Sequence, residues 1–202
     1  MKTGTTTVSI VGKDAVIMAA DRKATMGYLV ASKDVEKIAK LQNHIGMTIA
    51  GVVGDAQTLV KYLTAEYNIY RLQEGRKIPL RSAAALAANI LYSRRFYPYF
   101  VQLIIAGHDD EGPSLYTLSP DGSVIPEKYF STGSGSPMAF GLLEQGFREG
   151  MGTEEAAKLA ANSVKVAVRR DIASGGSGID VVIIDSKGYK KLDDAKVKSM
   201  LN

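Results

Sequence analysis

The chain has 202 residues, of which 46% are hydrophobic, enough to bury a sizeable core and to set aside collagen-like and disordered readings. Lys and Arg total 25 against 21 Asp and Glu, a net +4 with no long basic run, so neither a nucleic-acid backbone nor a membrane surface is an expected partner. Cysteine is absent, which excludes disulfides, thiolate nucleophiles and Cys-ligated zinc, and fits a cytoplasmic location.

Thr5–Val11 and Ala15–Ala20 are β-branched or apolar runs around Gly12–Lys13–Asp14, which predicts an opening hairpin. Met1–Lys2–Thr3–Gly4 leads straight into threonines with no apolar stretch, so no signal peptide is expected. Further strands are predicted at Tyr28–Ala31, Met47–Val53, Tyr99–Gly107, Ser114–Leu118, Val124–Ser131, Ile179–Asp185 and Tyr189–Leu192. Ala56, Leu59, Val60, Leu63, Tyr67 and Tyr70 recur at steps of three and four, predicting a helix over 56–74 with Asp55 as N-cap and Gly75 as stop. Pro79 opens a second helix over 80–96, ended by Pro98. Later, Pro137 starts a helix over 138–148, and Thr153 caps another over 154–170 with Glu154 and Glu155 in its first turn. Strands and helix pairs therefore alternate in blocks, without βαβ units. The expected fold class is α+β, a four-layer αββα sandwich of two antiparallel sheets flanked by helix pairs, in one domain.

Chemistry has few obvious carriers. His44 and His108 sit in no catalytic motif, and His108–Asp109–Asp110–Glu111 reads as a solvated turn rather than a metal site. Gly133–Ser134–Gly135–Ser136–Pro137 lacks the Lys of a phosphate loop and reads as a tight turn with a helix cap. No cofactor or metal is expected. Thr5 invites a sharper reading, because cleavage after Gly4 would join a hydroxyl and an α-amine in one residue, and a free α-amine has a reference pKa of about 7.7–8.0. Asp21 ends the second strand, where pairing can return it beside Thr5, and Lys37 lies within reach of a third strand. Each alone is more often a solvated charge.

The chain resembles the catalytic β subunits of 20S proteasomes, archaeal type, in the N-terminal nucleophile hydrolase family. The resemblance rests on Gly4–Thr5–Thr6–Thr7–Val8, Asp14–Ala15–Val16, Ala20–Asp21–Arg22, Lys37–Ile38, the run from Thr48 to Ala56, Ser131–Pro137 and Arg170–Gly175, in that order over essentially the whole length. It implies a propeptide over 1–4 removed at Gly4, and a single N-terminal nucleophile hydrolase domain over 5–202. Thr5 would be the nucleophile, Lys37 its base and Asp21 the orienting carboxylate, while Ser134, Asp171 and Ser174 would hold the new α-amine and a water. Gly51 N–H would supply the oxyanion hole. Ala24, Val35, Ala39, Ile49, Val53 and Gln57 would line an uncharged, mostly apolar specificity pocket, with the backbone of Thr25 pairing with substrate.

The implied function is that of a threonine endopeptidase cleaving unfolded polypeptides. The implied partners are other β subunits in seven-membered rings, α-subunit rings and, indirectly, a regulatory ATPase. The alternative is a structural or precursor-locked β subunit. α subunits carry an additional N-terminal helical segment, whereas four residues precede Thr5 here. Lys23 stands where the family usually has arginine, Ser9 where glycine is common, and the Gly175–Gly178 turn is slightly long.

Overall fold

The structure is a computed structural model that describes residues 4–201. Chain order is β1 (Thr7–Val11), β2 (Ala15–Asp21), β3 (Ala24–Met26), β4 (Leu29–Ser32), β5 (Ile38–Gln42), β6 (Ile45–Gly51), α1 (Val53–Glu74) and α2 (Leu80–Ser93). There follow β7 (Val101–Asp109), β8 (Gly112–Leu118), β9 (Val124–Glu127), β10 (Tyr129–Thr132), α3 (Ser136–Gly146), α4 (Thr153–Val168), β11 (Ile179–Asp185), β12 (Gly188–Lys191) and α5 (Asp194–Leu201). One five-stranded sheet runs β10-β1-β2-β11-β12 and the other β5-β6-β7-β8-β9, with β3-β4 as a separate hairpin. All pairings are antiparallel.

Strand parity explains the layering. On β2, Val16, Met18 and Ala20 join Ile38, Ile104, Ala106, Leu115, Val182 and Ile184 between the two sheets. Ala15, Ile17 and Ala19 point the other way, into a core with the Ala-rich face of α4, Ala139 and Leu143 of α3, and Val197 and Met200 of α5. On the outer face of the second sheet, Met47, Leu103 and Ile105 pack against Leu59, Leu63 and Tyr67 of α1 and Ala83, Ala87 and Leu91 of α2. Four layers result, and β2, buried along its whole length, is the strand from which the site is built. Among the described residues, no helix is long and apolar enough to cross a membrane.

Several local expectations are corrected. The run predicted as one strand over 124–131 is two strands in different sheets: β9 pairs with β8, and β10 pairs with β1 after the chain crosses at Lys128. α1 begins at Val53 without a side-chain cap, because the Asp55 carboxylate accepts the Phe100 N–H at 2.9 Å instead. α2 ends at Ser93, not at Phe96, and α4 takes Gly152 as its N-cap, with Thr153 already helical. β5 escaped prediction because the irregularity between Lys40 and Gln42 puts its buried residues, Ile38 and Leu41, three apart rather than two. The eight-residue α5 makes the helix layer over the first sheet a set of three.

Candidate active site

The antiparallel register Thr7↔Ala20 sets Asp21 across from Thr6. Thr6 N–H donates to Asp21 Oδ1 at 2.9 Å and Asp21 N–H returns a bond to the Thr6 carbonyl at 3.2 Å. The Asp21 side chain is fully buried, and its Oδ2 accepts from Gly175 N–H at 2.8 Å and Lys23 N–H at 3.2 Å. Lys37 Nζ completes the set, 2.7 Å from Oδ1. A buried carboxylate is tolerable only with this kind of satisfaction. Lys37 is held at the head of β5 by its carbonyl, which accepts from Ile49 N–H at 2.9 Å. Burial pushes the Lys37 ammonium below the ordinary lysine range, opposed by the attraction of Asp21.

Thr5 lies where these groups converge. Its Oγ1 donates to the Gly4 carbonyl at 2.6 Å, and Lys37 Nζ donates to the same oxygen at 3.3 Å. Thr5 N–H donates to Ser134 Oγ at 3.2 Å, and the Thr5 carbonyl accepts from Gly135 N–H at 3.2 Å. Gly133 adopts φ +94, and a Cβ there would collide with the Thr5 carbonyl, so the turn needs glycine to come this close. Ser134 Oγ passes its proton bond to Asp171 Oδ2 at 2.6 Å, and Ser174 Oγ donates to the same oxygen at 2.5 Å. With its hydrogen so engaged, Ser174 accepts from Thr6 Oγ1 at 2.7 Å.

Ser134 thus holds the Thr5 nitrogen directly, while Asp171 acts on it from one bond further away and Ser174, through Asp171, from two. Thr6 was missed by the sequence reading. Its place beside Thr5, with strand parity turning its hydroxyl to the opposite side, was the available signal. The long glycine turn leaves Ser174 in place: at Gly176, φ +99, a Cβ would meet the Lys33 carbonyl and the Lys23 nitrogen, so the turn packs tightly there. Lys23 Nζ donates to the Ile172 carbonyl at 2.8 Å, bracing the same loop.

Beside Thr5 is a cleft of about 100 Å³ lined by Ala24, Thr25, Val35, Ile49, Val53 and Gln57, with Gly51 at φ +134 on its edge. Gly4 N–H donates to Thr25 Oγ1 at 3.1 Å, so the side chain of Thr25, not only its backbone, engages the residue before Thr5. Ala39, two strand positions beyond Lys37 and paired with Met47, is not among the lining residues. The wall is also not wholly uncharged, since Glu36 and Lys37 line it with Ala56, and Glu36 is held by Lys191 at 3.0 Å. Neither histidine belongs to this region. His44, in the β5–β6 turn at the other end of the sandwich, contacts the Ile78 carbonyl through Nε2 at 2.9 Å and is pushed by burial toward the neutral form.

A hydroxyl residue at the head of an inner strand of an αββα sandwich, backed by a buried lysine–aspartate pair, is the arrangement of the N-terminal nucleophile class. A family model described as "Proteasome subunit" matches residues 1–184. The chain is 44% identical to a proteasome subunit beta of Methanothermobacter thermautotrophicus over 98% of this chain and 94% of the relative. It is 47% identical to proteasome subunit beta 2 of Aeropyrum pernix over 95% of this chain and 86% of the relative. Against a proteasome subunit beta of Methanopyrus kandleri it is 43% identical, over 98% and 96% respectively. The chain belongs to the proteasome subunit family.

Proposed function

We propose that the chain is a threonine endopeptidase, the proteolytic β subunit of a proteasome core, with Thr5 as its nucleophile. The observation that carries this reading is the meeting of Thr5 Oγ1 and Lys37 Nζ at the Gly4 carbonyl, with Asp21 behind the lysine. In the first reaction Thr5 Oγ1 attacks the Gly4 carbonyl carbon. The C–O bond forms, the C–N bond to Thr5 breaks, and the hydroxyl proton passes by way of Lys37 to the Thr5 nitrogen. Water then cleaves the ester, freeing residues 1–4 with a terminal carboxylate and leaving Thr5 with its hydroxyl and an α-amine.

Polypeptide substrates follow the same course. The scissile carbonyl carbon takes the place of the Gly4 carbonyl carbon, with its oxygen turned away from the Lys37 side, where the Gly4 oxygen lies, so that the developing oxyanion faces Gly51 N–H, and the residue before the cut enters the cleft between Ala24, Val35, Ile49 and Val53. Ser134, Asp171 and Ser174 hold the α-amine. Threonine suits this role because its methyl restricts χ1 and fixes the hydroxyl.

The protein assembles with other proteasome subunits. Seven-membered β rings between α rings, fed unfolded chains by a regulatory ATPase in the cytoplasm, are the proposed setting. Exposed Tyr28 and Leu29 on the β3–β4 hairpin, Leu72 on α1, and Phe96 and Tyr97 after α2 favour extensive burial against neighbours. A structural, non-cutting role is disfavoured by the convergence of Thr5, Asp21 and Lys37.

The test is intact mass together with peptide hydrolysis by assembled protein. Wild type should lose residues 1–4 and turn over peptides with an apolar residue before the cut, whereas Thr5→Ala should keep residues 1–4 and be inactive. Trimming or turnover by purified, assembled Thr5→Ala would overturn the reading.

A further inference from the structure

The nucleophile and the oxyanion donor stand on different sheets. Thr5 leads into β1 of the first sheet, whereas Gly51 ends β6 of the second. The layer between the sheets is mostly aliphatic, and apolar contact has no direction, so it sets the spacing of the two sheets far better than their slide along one another. The Asp21–Lys37 pair crosses the gap on one side of Thr5. A single link of that kind still leaves the sheets free to pivot about it.

Three threonines interrupt the apolar layer on the other side. Register places them there: Thr7 pairs with Ala20 of β2 and with Thr132 of β10, Thr48 pairs with Ile38 of β5 and Ile104 of β7, and directly opposed residues of antiparallel strands share a face. Ala20, Ile38 and Ile104 all belong to the core between the sheets, and all three threonines are buried. Thr7 Oγ1 donates to Thr48 Oγ1 at 3.2 Å across the layer. One hydroxyl carries one proton, so in the 2.6 Å bond between Thr7 and Thr132 the donor is Thr132. Ser131 Oγ adds a bond to the Thr7 carbonyl at 2.7 Å.

From this chain of hydroxyls we propose that Thr7, Thr48 and Thr132 are positioning residues, which lock the strand after the nucleophile to the strand that ends at Gly51 and to the turn that holds the Thr5 nitrogen. The inference rests on Thr5 and Gly51 acting as proposed above. Thr7 lies two residues after Thr5, Thr48 three before Gly51, and Thr132 immediately before Gly133. Valine has nearly the same shape, and replacing every partner of a buried hydrogen bond by apolar groups of that shape can leave stability almost unchanged. Hydroxyls at three meeting positions of a dry layer therefore serve direction rather than burial.

The test uses assembled enzyme whose chains are released at Thr5 from an N-terminal fusion by a separate protease, so that every variant starts with the same α-amine. In the triple variant Thr7→Val, Thr48→Val, Thr132→Val none of the three hydroxyls is left unpaired, and the denaturation midpoint should stay near that of wild type. Its kcat and kcat/KM for peptide hydrolysis should fall together by about 10–100-fold with KM unchanged within about twofold, the mark of an interaction that counts only in the transition state. Thr48→Val alone, which cuts the bond between the sheets and leaves Thr7 with Thr132, should show a similar fall and decides alone if the triple variant does not assemble. Thr7→Ser keeps the hydroxyl and should remain within about threefold of wild type. Wild-type kcat in Thr48→Val or in the triple variant, or a loss confined to stability, would overturn the inference while Thr5-dependent turnover left the enzyme assignment standing. Turnover by Thr5→Ala would instead remove that assignment.

Discussion

Lys37 Nζ stands 2.7 Å from Asp21 Oδ1 in a place solvent hardly reaches, yet burial still prevails over the ion pair in setting the lysine's proton affinity. A depressed ammonium becomes a free amine at lower pH than an exposed lysine does. The acid limb of kcat/KM should therefore rise with pH as Lys37 loses its proton. Lys37→Ala should lower kcat/KM by about 10²–10⁴-fold and remove that limb, measured on protein that has first been confirmed to assemble. An unaltered acid limb in Lys37→Ala would assign the titration to another group.

Asp21→Ala should be damaging in a different way. Three backbone N–H groups, of Thr6, Lys23 and Gly175, and the Lys37 ammonium would lose their acceptor at a fully buried position. Loss of about 3–5 kcal/mol is expected, the cost of breaking a buried pair by removing one partner. Denaturant unfolding of the variant beside wild type checks this, and a change under 1 kcal/mol would contradict it.

Ser9 gives the opposite sign. It is fully buried on β1, and its hydroxyl has no hydrogen-bond partner. Ser9→Ala removes an unsatisfied polar group at almost constant volume and should stabilise by about 1 kcal/mol, read as a raised denaturation midpoint with unchanged slope. A destabilised variant would mean that the hydroxyl is satisfied in solution.

Gly133→Ala should spare the fold and cripple the chemistry. The new Cβ meets the Thr5 carbonyl at a backbone conformation that L side chains rarely adopt, so the nucleophile must shift. A displacement of about 1 Å costs on the order of 10²-fold in rate. Peptide hydrolysis should fall accordingly while Lys37 and Asp21 remain paired. Wild-type turnover would place the turn's importance elsewhere.

The sandwich was legible because it is written in short-range pattern, whereas Thr5, Asp21 and Lys37 were singled out together by the family resemblance. β-Branched and apolar runs marked β1, β2, β7 and β11, a period of three and four marked α1, cap and break residues marked α4, and the Thr5, Asp21 and Lys37 motifs sat on or beside strand ends. What stayed hidden depends on long-range partners. Nothing local distinguishes Glu127 from Tyr129, although Lys128 between them separates strands of different sheets. Asp55 has the composition of a cap but finds the Phe100 N–H, 45 residues away. Thr6 looked like strand filler until its hydroxyl met Ser174, 168 residues later.

The pairing order also governs when the protein can first act on itself during synthesis. β1, which directly follows Thr5 and Thr6, gains its outer neighbour only at β10, and β2 gains its other neighbour only at β11. Ser134, Asp171 and Ser174 all lie in the second half of the chain, so a ribosome-bound fragment of the first 100 residues holds Thr5, Asp21 and Lys37 without the groups that fix the Thr5 nitrogen. At about 5–20 residues per second, a chain spends several seconds in that incomplete condition. If Thr5 acts as proposed, dispersing the site along the sequence times its first action on the chain to the closing of the sheets.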